Sequence, residues 1–146
     1  MIHITYASET GNAESLAEDT ATQLSNAGFE TTLSNLEDFT PEKLTEVNTL
    51  LSVVSTWGDG DPPTEAEDFY LDLKDNQSLS LSHLRYSILA LGDTDYEFFC
   101  QFGKDLDREL SARGATKLTE RIDCNVDYDD EFEQWYGLVT DALSKS

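Results

Sequence analysis

Three short segments carry the residues whose types and spacing could do chemistry. Ser8-Glu9-Thr10-Gly11-Asn12-Ala13 is a hydroxyl-rich turn that opens a helical pattern. Backbone N–H groups at a helix N-terminus, with the Ser8 and Thr10 hydroxyls and the Asn12 amide beside them, can wrap a phosphate; an ordinary N-cap turn has the same composition. The turn is neither a GxGxxG nor a GK[ST] loop, which weakens dinucleotide and ATP readings. In Ser55-Thr56-Trp57-Gly58-Asp59-Gly60-Asp61-Pro62-Pro63, Gly58 and Gly60 allow unusual backbone angles and the prolines stiffen the exit. Trp57 there either anchors its loop on the core or offers a face to a flat partner. In Leu91-Gly92-Asp93-Thr94-Asp95-Tyr96-Glu97-Phe98-Phe99-Cys100, Tyr96 could be the opposite stacking face. Together the three describe a ligand with a phosphate at one end and a broad aromatic ring at the other.

The elements that must position these segments alternate between apolar, β-branched runs and helix-period stretches, the order of a parallel sheet covered on both faces. Strands are expected at Ile2 to Tyr6, Glu30 to Leu33, Thr49 to Ser55, Tyr86 to Leu91 and Lys117 to Ile122. A first helix spans about Asn12 to Ala27, with Leu16, Thr20 and Leu24 on one line and Gly28 as its stop. Thr40-Pro41-Glu42 marks a short second helix, and a third runs from Thr64 to Leu73. The fourth covers Phe99 to Arg113 and stops at Gly114. The last covers Asp130 to Leu143 and buries Phe132, Trp135 or Tyr136, Val139 and Leu143. This predicts a doubly wound α/β sheet of five parallel strands in the order 2-1-3-4-5, formed by residues 1-146 as a single domain. Ligands of such sheets sit at the carboxyl ends of the strands, where the three segments fall.

Charge restricts the chemistry further. Thirty Asp and Glu face nine Lys and Arg across 146 residues, a net charge of −21. The cations are scattered singly, which excludes an electrostatic nucleic-acid footprint or an anionic membrane surface as partner. Met1 to Glu42 and Leu44 to Leu73 contain no Lys or Arg, so a phosphate bound by the first segment would have to be met by N–H groups and hydroxyls. Cys100 and Cys124 lack metal or disulfide spacing, no apolar run is long enough for a membrane span, and Met1-Ile2-His3-Ile4 has no basic leader. These features fit a cytoplasmic protein with reduced thiols. His3 is expected to be a strand residue and Cys100 a packing residue.

Ser8-x-Thr10-Gly11-Asn12, the Ser55 to Pro63 segment and the Leu91 to Cys100 segment together resemble the flavodoxins, over essentially the full chain. The short-chain type and the FMN domain of diflavin reductases, such as the sulfite reductase flavoprotein, are the most similar. The resemblance implies non-covalent FMN and single-electron transfer. By matching positions, Ser8, Glu9, Thr10, Gly11, Asn12 and Ala13 would enclose the phosphate. Ser55, Thr56, Trp57, Gly58 and Gly60 would line the isoalloxazine and ribityl chain. Leu91, Gly92, Asp93, Tyr96, Phe98, Phe99 and Cys100 would close the other side, with Tyr96 stacked on the ring. Ala13 stands where many members carry a hydroxyl, and Trp57 is more similar to free-standing flavodoxins than to reductase domains. The Gly58 carbonyl is expected to turn toward flavin N5–H after the first electron.

The flavin would do the redox chemistry while the loops set its potentials, without a catalytic residue or a metal. The carrier is expected to work at low potential, between an NADPH-dependent flavin reductase as donor and a redox enzyme as acceptor. Asp59, Asp61, Asp93, Asp95, Glu97, Asp127, Asp129 and Asp130 form an expected acidic rim that steers basic patches on those partners, although acids spread for solubility alone would read the same way. A phospho-accepting receiver domain shares the topology but needs an acidic pair after strand one and a Lys ending strand five, where Ser8 and Asp123 stand. The nearer rival is the FMN domain of an NADPH-dependent diflavin reductase. A third is an FMN module with a sensing or structural role. The intact Met1 and the stop after the last helix lead to the expectation of a free-standing monomer.

Overall fold

The computed structural model describes residues 1–8, 11–56, 60–93 and 100–145. Among these residues, six parallel strands form one sheet: β1 (Ile2–Ala7), β2 (Thr31–Asn35), β3 (Thr49–Ser55), β4 (Arg85–Leu91), β5 (Thr116–Lys117) and β6 (Ile122–Cys124). Their order is β2-β1-β3-β4-β5, with β6 also beside β4, so the expected topology is present and its fifth position is shared by two short strands. Among the described residues, four α-helices cover the sheet: α1 (Asn12–Asn26), α2 (Glu67–Asp75), α3 (Gln101–Ala112) and α4 (Asp129–Ser144).

The central strands are apolar on both sides because both sides are covered. Leu50 and Val54 of β3 join a core that includes Phe69 and Tyr70 of α2 and Phe102, Leu106 and Leu110 of α3. Leu51 and Val53 join the opposite core, with Leu16 and Leu24 of α1 and Trp135 and Val139 of α4. Periodicity alone left Trp135 and Tyr136 as alternatives for the inward position. Trp135 takes it, fully buried, because its indole N–H donates to the Ser87 hydroxyl at 2.8 Å; Tyr136 is half-buried. His3 is a strand residue, its ring 5.3 Å from that of Phe39.

Two expectations from local pattern are corrected. The helix expected after Thr40 is a 3₁₀ helix, Pro41–Glu46, preceded by a separate 3₁₀ turn at Leu36–Asp38, and the Thr40 side chain makes no cap hydrogen bond. Only eight residues separate Thr40 from β3, and the tighter i to i+3 bonds of Lys43 to Thr40 and Val47 to Leu44 form there. Similarly, the third helix begins as a 3₁₀ turn, Thr64–Ala66, before α2.

The continuous strand expected at Lys117 to Ile122 is broken into β5 and β6. Asp107 of α3, only 6% exposed, accepts the Tyr86 hydroxyl at 2.5 Å and Arg121 Nη1 at 2.6 Å, while Arg121 Nε donates to Asp123 at 2.8 Å. The buried Asp107 carboxylate is met by these donors at the interruption, where Leu118 N–H still donates to the Tyr86 carbonyl at 2.7 Å and residues 119–121 carry the chain from β5 to β6. Directly above, Gly103 lets α3 press on β4, since a Cβ there would run into the Ala90 methyl. Among the described residues, no helix is long and apolar enough to cross a membrane.

Candidate functional site

Register aligns the carboxyl ends of the central strands: Ala7 pairs with Val54, Ser55 with Leu91, and Leu91 with Cys124. The segments that follow β1, β3 and β4 therefore leave the sheet side by side, at the edge where doubly wound sheets hold ligands.

The first segment is shaped as a donor-rich cradle. Ser8 is buried, and its Oγ accepts the N–H of Gly11 at 2.8 Å and of Ala13 at 3.4 Å. Gly11 has φ +90°, a left-handed conformation that admits glycine cheaply, and with it the chain turns into α1. Ala13 is fully buried in the α1-side core, which explains why an apolar side chain serves there and only its N–H is left to the loop. Asn12 is exposed at the first helical position; Glu9 and Thr10 lie outside the described residues. The N-terminal end of α1 adds its positive pole, so an anion could be met here without a cation.

The second segment is tied to both neighbours. Ser55 Oγ donates to the Ala7 carbonyl at 3.4 Å, and Thr56 N–H to the Leu91 carbonyl at 3.2 Å. Thr56 Oγ1 accepts the Phe102 N–H at 3.0 Å, capping the first turn of α3. Trp57, Gly58 and Asp59 lie outside the described residues, and the chain resumes at Gly60 with φ +99°.

In the third segment, Leu91 is buried, Gly92 N–H donates to the Cys124 carbonyl at 2.9 Å and Asp93 is half-buried. Tyr96, Phe98 and Phe99 lie outside the described residues, as do Asp95 and Glu97 of the expected rim. Cys100 is fully buried, and its thiol donates to the carbonyls of Ala90 at 3.5 Å and Cys124 at 3.6 Å. Burial, reinforced by Asp123, pushes that thiol up to about 12. Burial and its neighbour Cys100 push Cys124 equally to about 12. Both are packing thiols at ordinary pH. No group of metal-binding side chains occurs among the described residues.

Sequence reasoning missed Glu65. Its Oε1 accepts the Ser8 N–H at 2.8 Å, and its Oε2 accepts the Asn35 side-chain amide at the end of β2. No spacing signal separates this acid from the others in the chain. Its field is felt nearby: burial first, then Glu14, Glu65, Glu18 and Asp38, hold the Tyr6 hydroxyl above its ordinary range. Of the expected rim, Asp61, Asp127, Asp129 and Asp130 are exposed at the same end of the sheet, with Val126 61% exposed among the last three.

Comparison with known proteins places these features in context. The family model described as Flavodoxin matches residues 4–135. The chain is 43% identical over 145 residues to the sulfite reductase [NADPH] flavoprotein alpha-component of Bacillus subtilis (strain 168), covering 99% of this chain and 24% of that protein. The component of the same name from Shewanella oneidensis is 39% identical over 142 residues, covering 97% of this chain and 23% of that protein. The chain thus spans about a quarter of the length of the curated relatives it matches. Among solved structures, the flavodoxin of Streptococcus pneumonia TIGR4 superposes with a TM-score of 0.87 at 28% identity, and oxidised Flavodoxin 2 from Bacillus cereus with 0.83 at 30%. Each covers 99% of both chains.

Proposed function

The chain belongs to the flavodoxin family of FMN-binding electron carriers, and we propose that it shuttles single electrons at low potential between a reductase and an acceptor redox enzyme. The observation that carries the site assignment is the cradle at the start of α1. Its amide N–H groups converge on one hydroxyl, at a left-handed glycine, in a stretch of chain without a cation. Those N–H groups are accepted by the Ser8 hydroxyl, and a phosphate would take over or share these donors together with the N-terminal end of α1. Ser8 to Ala13 would hold the phosphate of FMN. Ser55, Thr56, Trp57, Gly58 and Gly60 would flank its chain and ring, and Leu91, Gly92, Asp93, Tyr96, Phe98, Phe99 and Cys100 would close the far side. Bound FMN supplies the redox chemistry; the chain's groups bind it, orient it and exclude water, with no acid or base required.

The exposed Asp61, Asp127, Asp129 and Asp130, joined by Asp59, Asp93, Asp95 and Glu97, form the rim on which basic patches of an NADPH-dependent flavin reductase and of the acceptor would dock. Val126 gives that rim an apolar contact point. The carrier would act in the cytoplasm as a single-domain monomer.

A second reading is favoured by identity: 43% to a sulfite reductase flavoprotein component against 28% and 30% to the two flavodoxins. In it, the chain works as the FMN domain of an NADPH-dependent diflavin reductase and receives electrons from a flavin partner domain. The visible spectrum of purified protein during dithionite titration tests the common core. Flavin bands bleaching in two one-electron stages are expected, and protein without flavin affinity overturns it. Electrons delivered by NADPH through a separate flavodoxin reductase favour the shuttle. Delivery only through a diflavin reductase's FAD domain favours the second reading.

A further inference from the structure

We propose that Glu65 is a positioning residue for the phosphate end of the cofactor site, an inference that rests on the FMN reading above. Glu65 belongs to the turn Thr64–Ala66, which follows the segment after β3, yet its carboxylate reaches the end of β1. One oxygen accepts the Ser8 N–H at 2.8 Å and the other accepts the Asn35 amide, whose own Oδ1 accepts the Glu37 N–H at 2.9 Å. Ser8 is in turn the residue whose Oγ gathers the N–H groups of Gly11 and Ala13. One carboxylate therefore fixes the backbone of the residue on which the cradle is organised, and ties it to the ends of two other chain segments.

Charge alone argues the opposite way. A carboxylate next to a phosphate site repels a dianion, so if Glu65 acted only through its charge, removing it would tighten FMN. That repulsion is screened by salt, whereas a charge-assisted hydrogen bond to a backbone N–H has a fixed geometry and roughly twice the strength of a neutral one. Geometry wins: Glu65 presets Ser8, and the cradle does not have to be ordered at the moment the phosphate arrives.

The test compares FMN with riboflavin, which lacks the phosphate, by flavin-fluorescence titration of the apoprotein at low and high salt. In Glu65→Ala, FMN affinity should fall about tenfold while riboflavin affinity changes less than about twofold. Glu65→Gln still offers an acceptor to Ser8 but turns its amide toward that of Asn35. The pair Glu65→Gln with Asn35→Asp restores both hydrogen bonds at unchanged net charge, and should recover most of the FMN affinity. Hydrogen exchange in the apoprotein gives a second readout: the amides of Ser8, Gly11 and Ala13 should exchange faster in Glu65→Ala and recover in the pair. Unchanged or tighter FMN binding in Glu65→Ala overturns the proposal. So does an equal loss for FMN and riboflavin, or unaltered exchange at Gly11 and Ala13. Wild-type protein without FMN affinity would instead overturn the cofactor reading itself.

Discussion

The hydroxyl of Thr56 accepts the amide of Phe102 at 3.0 Å, joining the segment after β3 to the first turn of α3 across 46 residues of sequence. A residue matched to the flavin side of the site thus also caps a helix. Thr56→Val should therefore lower stability by about 1 kcal/mol in urea denaturation, with Thr56→Ser close to wild type. A valine variant as stable as wild type would show that the cap carries no energy.

The buried Asp107 offers a larger effect. Asp107→Ala removes the carboxylate that accepts the Tyr86 hydroxyl and Arg121 Nη1, leaving Tyr86 the longer bond to the carbonyl of residue 107 at 3.2 Å and Arg121 its bond to Asp123, and should cost about 2 kcal/mol. In a double-mutant cycle with Arg121→Met, the second substitution should add little, because the pair has already been broken. Equal, additive losses would show that the two side chains act independently. Burial and the Asp107 hydrogen bond hold the Tyr86 hydroxyl far above its ordinary range, so ultraviolet titration of the native protein should leave at least this tyrosine silent at a pH where free tyrosine ionises.

The two thiols set an alkaline limit. Both are raised from about 9 to about 12 in the folded chain, so the unfolded chain releases these protons first. Their contribution to stability is complete below about pH 9 and is lost as pH rises toward 12. Stability measured across that window should fall, and should fall less steeply in Cys100→Ala with Cys124→Ala. Native protein at pH 8 should resist iodoacetamide; rapid alkylation of both thiols would contradict their burial.

Docking through the acidic rim makes a comparative prediction. Neutralising Asp127, Asp129 and Asp130 should slow reduction by a reductase at low salt much more than neutralising Glu14, Glu18 and Asp19 of α1, and added salt should erase the difference. Equal slowing would assign the acids to solubility. Two unit charges ~10 Å apart in near-aqueous surroundings interact by about 0.4 kcal/mol, so several uncompensated acids should also make the second one-electron potential more negative at low salt than at high salt. Potentiometric titration at two ionic strengths measures this directly.

What could be read from sequence divides along a physical line. Strand order, both cores and the placement of three segments at one edge follow from local periodicity and topology rules, and Leu16, Leu24, Phe102 and Leu110 lie where those rules put them. The break in the fifth strand has no local signal: it coincides with the meeting of Asp107 of α3 and Arg121, fourteen residues on and just before β6. Glu65 was invisible for the same reason, its partners Ser8 and Asn35 being 57 and 30 residues away. The short second helix failed for a local reason: Thr40-Pro41 is a sound start signal, but a start signal does not supply length.

The two cores have a consequence for the cofactor itself. Ala13, in the segment proposed to hold the phosphate, belongs to the core shared with α1 and α4. Phe102 and Cys100, which follow the third segment, belong to the other core, with α2. The sheet is the main partition between these two packing compartments, and a ligand spanning the ends of β1, β3 and β4 would touch both. FMN would then act as a clasp as well as a cargo: emptying the site removes a cross-brace between half-molecules, and cooperativity of unfolding should depend on whether the flavin is in place.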